Sequence, residues 1–170
     1  MKLLKIIFPL VISLIVSSEI YCQSTIALEP VSDAGLYWRA DNASYANNNY
    51  GNHPIFRCET WTTSGNLYKW RSLMKFNFDD IPEGAHIIDA TLYLYNPQDP
   101  DWTWDYHSLH NSQSTIKRVT EAWVEHTITW NDFYPPYHTT TLNYKDIPAA
   151  TSQYQDYQIL LTDFVQGWVN

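Results

Sequence analysis

The residues best suited to ligand chemistry are aromatic rings in an acidic stretch, residues 99–106. Trp102, Trp104 and Tyr106 alternate there, so an extended backbone would turn all three side chains to one side. Flat aromatic faces stack on flat apolar ligand surfaces, as they do under nucleic-acid bases, and the C–H face of a sugar ring is such a surface. The spacing predicts a stacking surface on these rings. The other interpretation is a segment folded back over the protein core.

A second aromatic surface is predicted at residues 134–138. Tyr134 and Tyr137 flank two consecutive prolines, Pro135 and Pro136. The prolines hold the backbone extended, so little conformational entropy would be lost when a ligand binds to the two rings.

Basic side chains decide which ligands could bind. Arg57 and Arg71 are the leading candidates to bind the carboxylate of an acidic sugar, with Arg39 and Lys69 as further cations. The chain has a formal charge of −8, which steers an acidic polymer away unless these cations cluster. A neutral sugar is therefore an equally open interpretation.

A calcium site is the one metal site that the sequence suggests. Asp99, Asp101 and Asp105 offer alternate carboxylates within one segment, and calcium binds six to eight oxygen ligands. Aspartate is also a common turn residue, so the same pattern fits a loop without metal. The sequence therefore allows a structural calcium ion, and no cofactor is required.

Catalysis is not expected from this chain. It contains no nucleophile elbow, phosphate-binding loop, HExxH or CxxC motif. Glu121 and Glu125 flank Trp123 and could form a carboxylate pair, but we expect them to bind backbone amides in a loop.

Composition excludes several classes of protein. The negative charge argues against nucleic-acid binding, which depends on neutralising phosphates. The 8 Trp, 13 Tyr and 6 Phe provide more apolar surface than a disordered acidic tail would contain. The length of 170 residues fits one domain.

The N-terminus has the pattern of a secretory signal peptide. Lys2 and Lys5 precede an apolar run at residues 6–16, which is too short to span a bilayer. We predict a signal peptide at residues 1–22, a domain at 23–170, and a secreted or cell-surface protein without a membrane span; lipid attachment at Cys22 is the alternative. Cys58 would then be alone in the domain, and we expect it to be a small buried hydrophobe.

Short alternating runs predict the fold. They lie at residues 36–40, 55–62, 71–78, 87–95, 116–119, 127–130 and 157–161, and turn residues separate them. This pattern predicts an all-β antiparallel sandwich or jelly roll. A short C-terminal helix is predicted from Asp163 and Gln166, which have the spacing of a capping box.

The alternation also predicts the core. Ser72, Met74, Phe76 and Phe78 should face the space between two sheets, with Arg71 and Lys75 on the opposite side. Trp123 and Trp130 lie in a part of the chain with few aliphatic residues and should fill the core there.

Seven segments together resemble a known family. They are Asn49-Tyr50-Gly51 and residues 71–78, 81–85, 90–95, 119–125, 127–131 and 165–168. In this order and spacing they are similar to the DNRLRE domain, also classed as carbohydrate-binding module family 96, over residues 33–170. The resemblance implies a jelly-roll β-sandwich on secreted or cell-surface proteins, often attached to polysaccharide-degrading enzymes, with alginate-type acidic glycans among the ligands. The family pattern continues into at least one more strand, so we expect the domain to lack its last strand or strands.

The functional prediction combines these observations. We expect a secreted, non-catalytic carbohydrate-binding module that recognises a polysaccharide or oligosaccharide through surface aromatic rings. It would belong to a longer polysaccharide-processing or cell-surface protein and contact other domains of that chain. The alternatives are a structural or adhesion β-sandwich domain without glycan binding, or part of an enzyme whose active residues lie beyond Asn170.

Overall fold

Short antiparallel strands dominate the fold in the computed structural model, which describes residues 23–96, 112–134 and 139–169. The strands of these residues are β1 Ser32–Arg39, β2 Glu59–Thr63, β3 Asn66–Lys75, β4 Thr91–Leu94, β5 Ser114–Val119, β6 Thr139–Ile147 and β7 Tyr157–Leu160. One sheet has the order β1-β3-β2, and two further sheets pair β4 with β7 and β5 with β6. The predicted all-β antiparallel fold is confirmed, while the jelly-roll connectivity stays a prediction.

A tight hairpin joins β2 to β3 at Ser64 and Gly65. Both residues have positive φ angles, 52° and 81°. A two-residue turn with two positive φ angles has the twist that antiparallel strands prefer, and it sets Thr63 opposite Asn66. The turn predicted at residues 63–66 is therefore present, and it fixes the register of the whole hairpin.

The main hydrophobic core lies on one face of the three-stranded sheet, which we call the Leu36 face. Its buried members are Leu36, Ala46, Leu73, Trp130 and Phe133, with Trp38, Val119, Trp123 and Ile128 packed at their edge. The predicted core positions of Trp123 and Trp130 are thus confirmed. Burial of these rings contributes several kcal/mol to stability, since a fully buried large side chain is worth about 1.5–3 kcal/mol.

The predicted facing of β3 is wrong. Leu73 lies opposite Ala34 and Arg71 lies opposite Leu36, so both belong to the core side of the sheet. Ser72 points to the other face, where its hydroxyl binds the backbone N–H and carbonyl of Arg57 at 3.0 and 2.8 Å. The alternation is present as predicted, but the main core packs on the other face, and the Ser72 hydroxyl binds the Arg57 backbone instead.

The opposite face, which we call the Trp70 face, carries a second aromatic cluster. The Trp70 ring, 5% exposed, lies 4.7–5.1 Å from the rings of Tyr37, Tyr50 and His53. Gly35 allows this packing, because a Cβ there would lie 2.5 Å from a Trp70 ring carbon. Both faces of the sheet are therefore covered by aromatic side chains.

Cys58 and the two phenylalanines after β3 depart from their predicted burial. Cys58 is exposed; it lies just before the edge strand β2, and Glu59 rather than Cys58 takes the position opposite the buried Trp70. Phe76 and Phe78 follow the end of β3 and are half-buried. Phe78 stacks on Trp168 at a centroid distance of 5.5 Å, which anchors the C-terminal helix.

Two helices interrupt the strand pattern in the described residues, apart from a 3-10 turn at Ala43–Asn47. Helix α1, Trp130–Phe133, replaces the strand predicted at residues 127–130. Thr129 and Asp132 form a reciprocal capping box, which outweighs the strand propensity of the threonines.

Helix α2, Thr162–Val169, confirms the predicted C-terminal helix, but it begins before Asp163, which lies in its first turn and not at the predicted capping position. The Gln166 side chain instead accepts a hydrogen bond from the Ile87 N–H and donates one to the Ala85 carbonyl. The glutamine therefore holds the segment before β4 against α2.

Candidate functional site

The predicted ligand-binding residues fall into three groups. Trp102, Trp104, Tyr106 and Tyr137, together with the predicted calcium ligands Asp99, Asp101 and Asp105, lie outside the described residues. Arg71 and Tyr134 come together on the Leu36 face. Arg57 lies on the Trp70 face, so the described members of the predicted set do not form a single site.

Arg71 and Tyr134 meet around the ring of Trp130. The Arg71 guanidinium carbon lies 5.4 Å from the Trp130 ring centroid, and the Tyr134 ring stacks on Trp130 at 5.9 Å and 16°. Trp130 itself is buried, while Tyr134 is 53% exposed. A flat tyrosine face and a planar cation therefore lie beside each other at the surface.

A second cation and ring extend this arrangement along the sheet. The Lys69 ammonium lies 5.7 Å from the centroid of Trp38, and Trp38 lies 6.4 Å from Trp130. Lys69 and Arg71 are two residues apart on β3, so both project to the Leu36 face about 7 Å apart along the strand. We call Trp38, Lys69, Arg71, Trp130 and Tyr134 the Trp130 site.

Local sequence explains how the Trp130 site is positioned. The capping box at Thr129 begins α1 at Trp130, and Tyr134 ends the helix in extended conformation. One short turn of helix therefore brings both rings to the same place. Leu36, Arg71, Trp130, Phe133 and Tyr134 line a shallow depression there.

The charge of the Trp130 site is its main chemical feature. Among residues 23–96, 112–134 and 139–169, neither Lys69 nor Arg71 forms an ion pair with a carboxylate. Arginine presents five donors in a planar fork that matches a carboxylate, and lysine adds a mobile point charge. The arrangement can bind an anionic group while a ring packs against the tyrosine.

Arg57 is in a different environment. Its guanidinium carbon lies 5.2 Å from the Trp70 ring centroid, and it forms an ion pair with Glu59 at 3.5 Å. Arg39 is likewise bound to Asp41 on both carboxylate oxygens, at 2.6 and 2.9 Å. The cations beside the Trp70 cluster are thus neutralised within the protein.

Titration on the Trp70 face follows from burial. Burial, together with the neighbouring Glu59 carboxylate, raises the pKa of Tyr68 to about 12. Burial also raises the pKa of Tyr37. Both phenols keep their protons at neutral pH, so this cluster adds no negative charge.

Sequence reasoning named Lys69 as a further cation but missed Trp38 and the pairing of the two side chains. The signal was present, because Lys69 and Arg71 flank Trp70 and must share the face that the indole does not occupy. It could not be used without the pairing of β1 with β3, which places Trp38 opposite Lys69.

The described segments contain neither a metal-binding cluster nor a membrane-spanning helix. No group of three or more histidine, cysteine or carboxylate side chains within the described segments is arranged to hold a metal ion. No helix there combines the length and apolar character that a bilayer span requires.

Comparison with known proteins gives one family. The model for carbohydrate-binding module family 96 matches residues 25–170. No curated protein and no solved structure matches the chain.

Proposed function

This chain belongs to carbohydrate-binding module family 96, and we propose that it binds a polysaccharide chain at the Trp130 site. The carrying observation is the parallel stack of exposed Tyr134 on Trp130 with Arg71 over the same indole. A sugar ring would pack its C–H face on Tyr134 while its polar groups bind the cations. Such modules are themselves non-catalytic, so the expected effect is attachment to substrate rather than turnover.

The rings of the Trp130 site supply a preformed surface for this contact. Trp130 is the first residue of α1, and its ring lies beside that of Trp38. The Tyr134 ring therefore stacks on a fixed support. A tyrosine that is already ordered loses little rotamer freedom on binding. Stacking on an aromatic ring is worth about 1–3 kcal/mol per ligand ring when measured on nucleic-acid bases.

The charge of the site favours a sugar that carries a carboxylate. Lys69 and Arg71 lie beside aromatic rings of the Trp130 site, and neither has an acidic partner among the described residues. Arg118, which lies over Trp168, is not part of this site. An acidic sugar would meet both cations, and a hydrogen bond to a charged group contributes about 1.5–3 kcal/mol. We therefore propose a uronic-acid polysaccharide as the ligand.

The other predicted contacts remain part of the proposal to different degrees. We also propose further stacking contacts from their spacing in the sequence, at Trp102, Trp104, Tyr106 and Tyr137. Arg57 is assigned a structural role, because Trp70 and Glu59 already occupy its guanidinium. Calcium binding by the Asp99 segment stays a proposal from sequence.

We further propose that the protein is secreted and that this module serves a longer polysaccharide-processing or cell-surface protein. The N-terminal lysines and apolar run support secretion. Family membership supports the association with polysaccharides.

The proposal can be tested by affinity gel electrophoresis in gels that contain alginate. We expect Arg71→Ala and Tyr134→Ala each to weaken retention by about tenfold, because each removes one of the two contact types. Thermal unfolding should change little, since both side chains are at the surface.

Matched controls separate these contacts from general surface effects. Lys145→Ala and Tyr144→Ala remove an exposed cation and an exposed ring from β6, so both should retain wild-type binding. If alginate and other uronic-acid polymers fail to retard the wild-type chain, the structural or adhesion role becomes the better account.

A further inference from the structure

A second exposed aromatic surface lies on the sheet formed by β4 and β7. Leu92 lies opposite the buried Ile159 and faces inward, while Tyr93 lies opposite Gln158 and faces out. Tyr93 is 50% exposed and Tyr95 is 73% exposed. Tyr93 in β4 and Tyr95, the first residue after the strand, thus place two large rings at the surface of a sheet that contributes nothing to the Trp130 site.

The two tyrosine rings are aligned with each other. Their centroids are 6.4 Å apart and their planes differ by 12°. Parallel rings two residues apart along an exposed segment can contact two adjacent units of a linear polymer. The amide of Gln158, exposed beside Tyr93, can both donate and accept hydrogen bonds, as paired hydroxyls require.

The charge of this surface sets the class of its ligand. The outward pairs Tyr93–Gln158 and Thr91–Leu160 contain no charged side chain. The carboxylate of Asp156, just before β7, accepts a hydrogen bond from the Asn96 backbone N–H at 2.8 Å. These residues offer no cation to bind the carboxylate of an anionic polymer. A neutral polymer needs no such partner.

We infer that Tyr93, Tyr95 and Gln158 form a separate binding site for a neutral polysaccharide. The inference rests on the proposed function in taking a sugar polymer as the ligand class, but it uses different residues and a different charge. The chain would then bind an acidic glycan at the Trp130 site and an uncharged glycan at this tyrosine pair.

The test uses affinity electrophoresis of the full chain in gels that contain hydroxyethylcellulose, galactomannan or laminarin, with alginate in a parallel gel. We expect at least one neutral polymer to retard the wild-type chain. The double variant Tyr93→Ala/Tyr95→Ala should lose about tenfold or more of that retention. Its retention by alginate should stay at the wild-type level.

Two control variants sharpen the test. Tyr93→Phe/Tyr95→Phe keeps both rings and should keep most of the neutral binding. Tyr154→Ala removes a tyrosine of similar exposure elsewhere and should change nothing. If the double alanine variant does not fold, Tyr95→Ala alone replaces it, since this ring is the more exposed of the two.

The outcomes for the two sites are distinguishable. Retention by alginate without retention by any of the three neutral polymers overturns the tyrosine-pair site and leaves the Trp130 site standing. Neutral binding that survives in Tyr93→Ala/Tyr95→Ala also overturns it. Neutral binding without alginate binding, lost in the double variant, supports the tyrosine pair and contradicts the acidic ligand proposed for the Trp130 site.

Discussion

Asn49 shows how a single side chain can organise this protein. Its amide nitrogen donates to the backbone carbonyls of Glu125 and Ile128, both at 2.7 Å, and its oxygen accepts from the Gly51 N–H. A Cβ on Gly51 would collide with the Glu125 carbonyl. The Asn49-Tyr50-Gly51 motif therefore fixes the loop before α1, and through it the position of Trp130.

The carboxylate of Asp33 destabilises the folded state at neutral pH. Burial raises the pKa of its carboxyl, and the negative charge of Glu125 adds to the effect. Since the pKa in the folded state lies above the unfolded value of 3.8, the folded state holds the proton more tightly. Stability therefore falls as the pH rises through the folded-state pKa, and the penalty is fully present at neutral pH.

Replacing Asp33 with asparagine should remove this penalty. We expect Asp33→Asn to raise the melting temperature at pH 7 by about 1 °C, because the site is only partly buried and solvent screens the charge. The gain should disappear below the unfolded pKa of 3.8, where the wild-type carboxyl is protonated in both states.

The measurement is thermal unfolding followed by circular dichroism between pH 3 and pH 8. Glu125→Gln should shift stability in the same direction by a smaller amount, since Glu125 is the lesser of the two causes. An Asp33→Asn variant that is less stable than the wild type at pH 7 would contradict this assignment.

At the scale of elements, the four-residue helix α1 contributes both to the core and to the candidate binding site. The helix supplies two buried rings to the core, Trp130 and Phe133, and it places Tyr134 at the surface. The Thr129 hydroxyl donates to the Asp132 carboxylate at 2.7 Å. That carboxylate also accepts from the Thr129 backbone N–H, so one residue pair holds the start of the helix.

Loss of this cap should affect stability and binding together. We expect Thr129→Ala to cost about 0.5–2 kcal/mol of unfolding free energy, the usual range for a lost N-cap. Because Trp130 is the first helical residue, retention by alginate should fall as well. Chemical denaturation and affinity electrophoresis measure the two effects.

Thr129→Ser provides the control for this change. Serine keeps the hydroxyl and caps at least as well as threonine, so both stability and retention should stay near the wild-type values. Full stability in Thr129→Ala would show that packing of Trp130, rather than the cap, holds the helix.

Elements also show what could be predicted from sequence. The alternating runs and the Ser64–Gly65 turn are local signals, so the strands of the hairpin and the antiparallel fold were predictable. The strand predicted at residues 127–130 does not form, because the capping interaction of Thr129 with Asp132 starts a helix there instead. The facing predicted for β3 is wrong because period-2 alternation separates two faces without showing which one packs on the main core.

The candidate site was predictable only in part for a related reason. Tyr134 and Arg71 could be named from residue type, since each is suited to bind a sugar or an anion. Their meeting at Trp130 depends on contacts between segments about 60 residues apart, and no local pattern encodes such contacts. The structure also shows that Arg39 and Arg57 form ion pairs within the protein, which makes them less available to bind an anionic ligand.

For the whole molecule, net charge and local charge act in opposite directions. The chain carries a formal charge of −8, which repels an acidic polymer at long range. Lys69 and Arg71 attract the same polymer at contact distance. At physiological ionic strength the Debye length is about 8 Å, so remote carboxylates are largely screened while contacts at the Trp130 site are not.

Local attraction should therefore dominate, and salt should weaken binding of an acidic glycan. We expect retention by alginate to fall several-fold between about 50 and 500 mM salt, where the Debye length shortens from roughly 14 to 4 Å. Retention by a neutral polymer at Tyr93 and Tyr95 should stay constant over the same range, because no charged contact is involved. Isothermal titration calorimetry with an acidic and a neutral oligosaccharide of matched length measures the affinity of each site over this salt range. Alginate binding that strengthens with salt would mean that repulsion by the whole molecule outweighs the two cations, and the Trp130 site would then be the wrong location for the carboxylate.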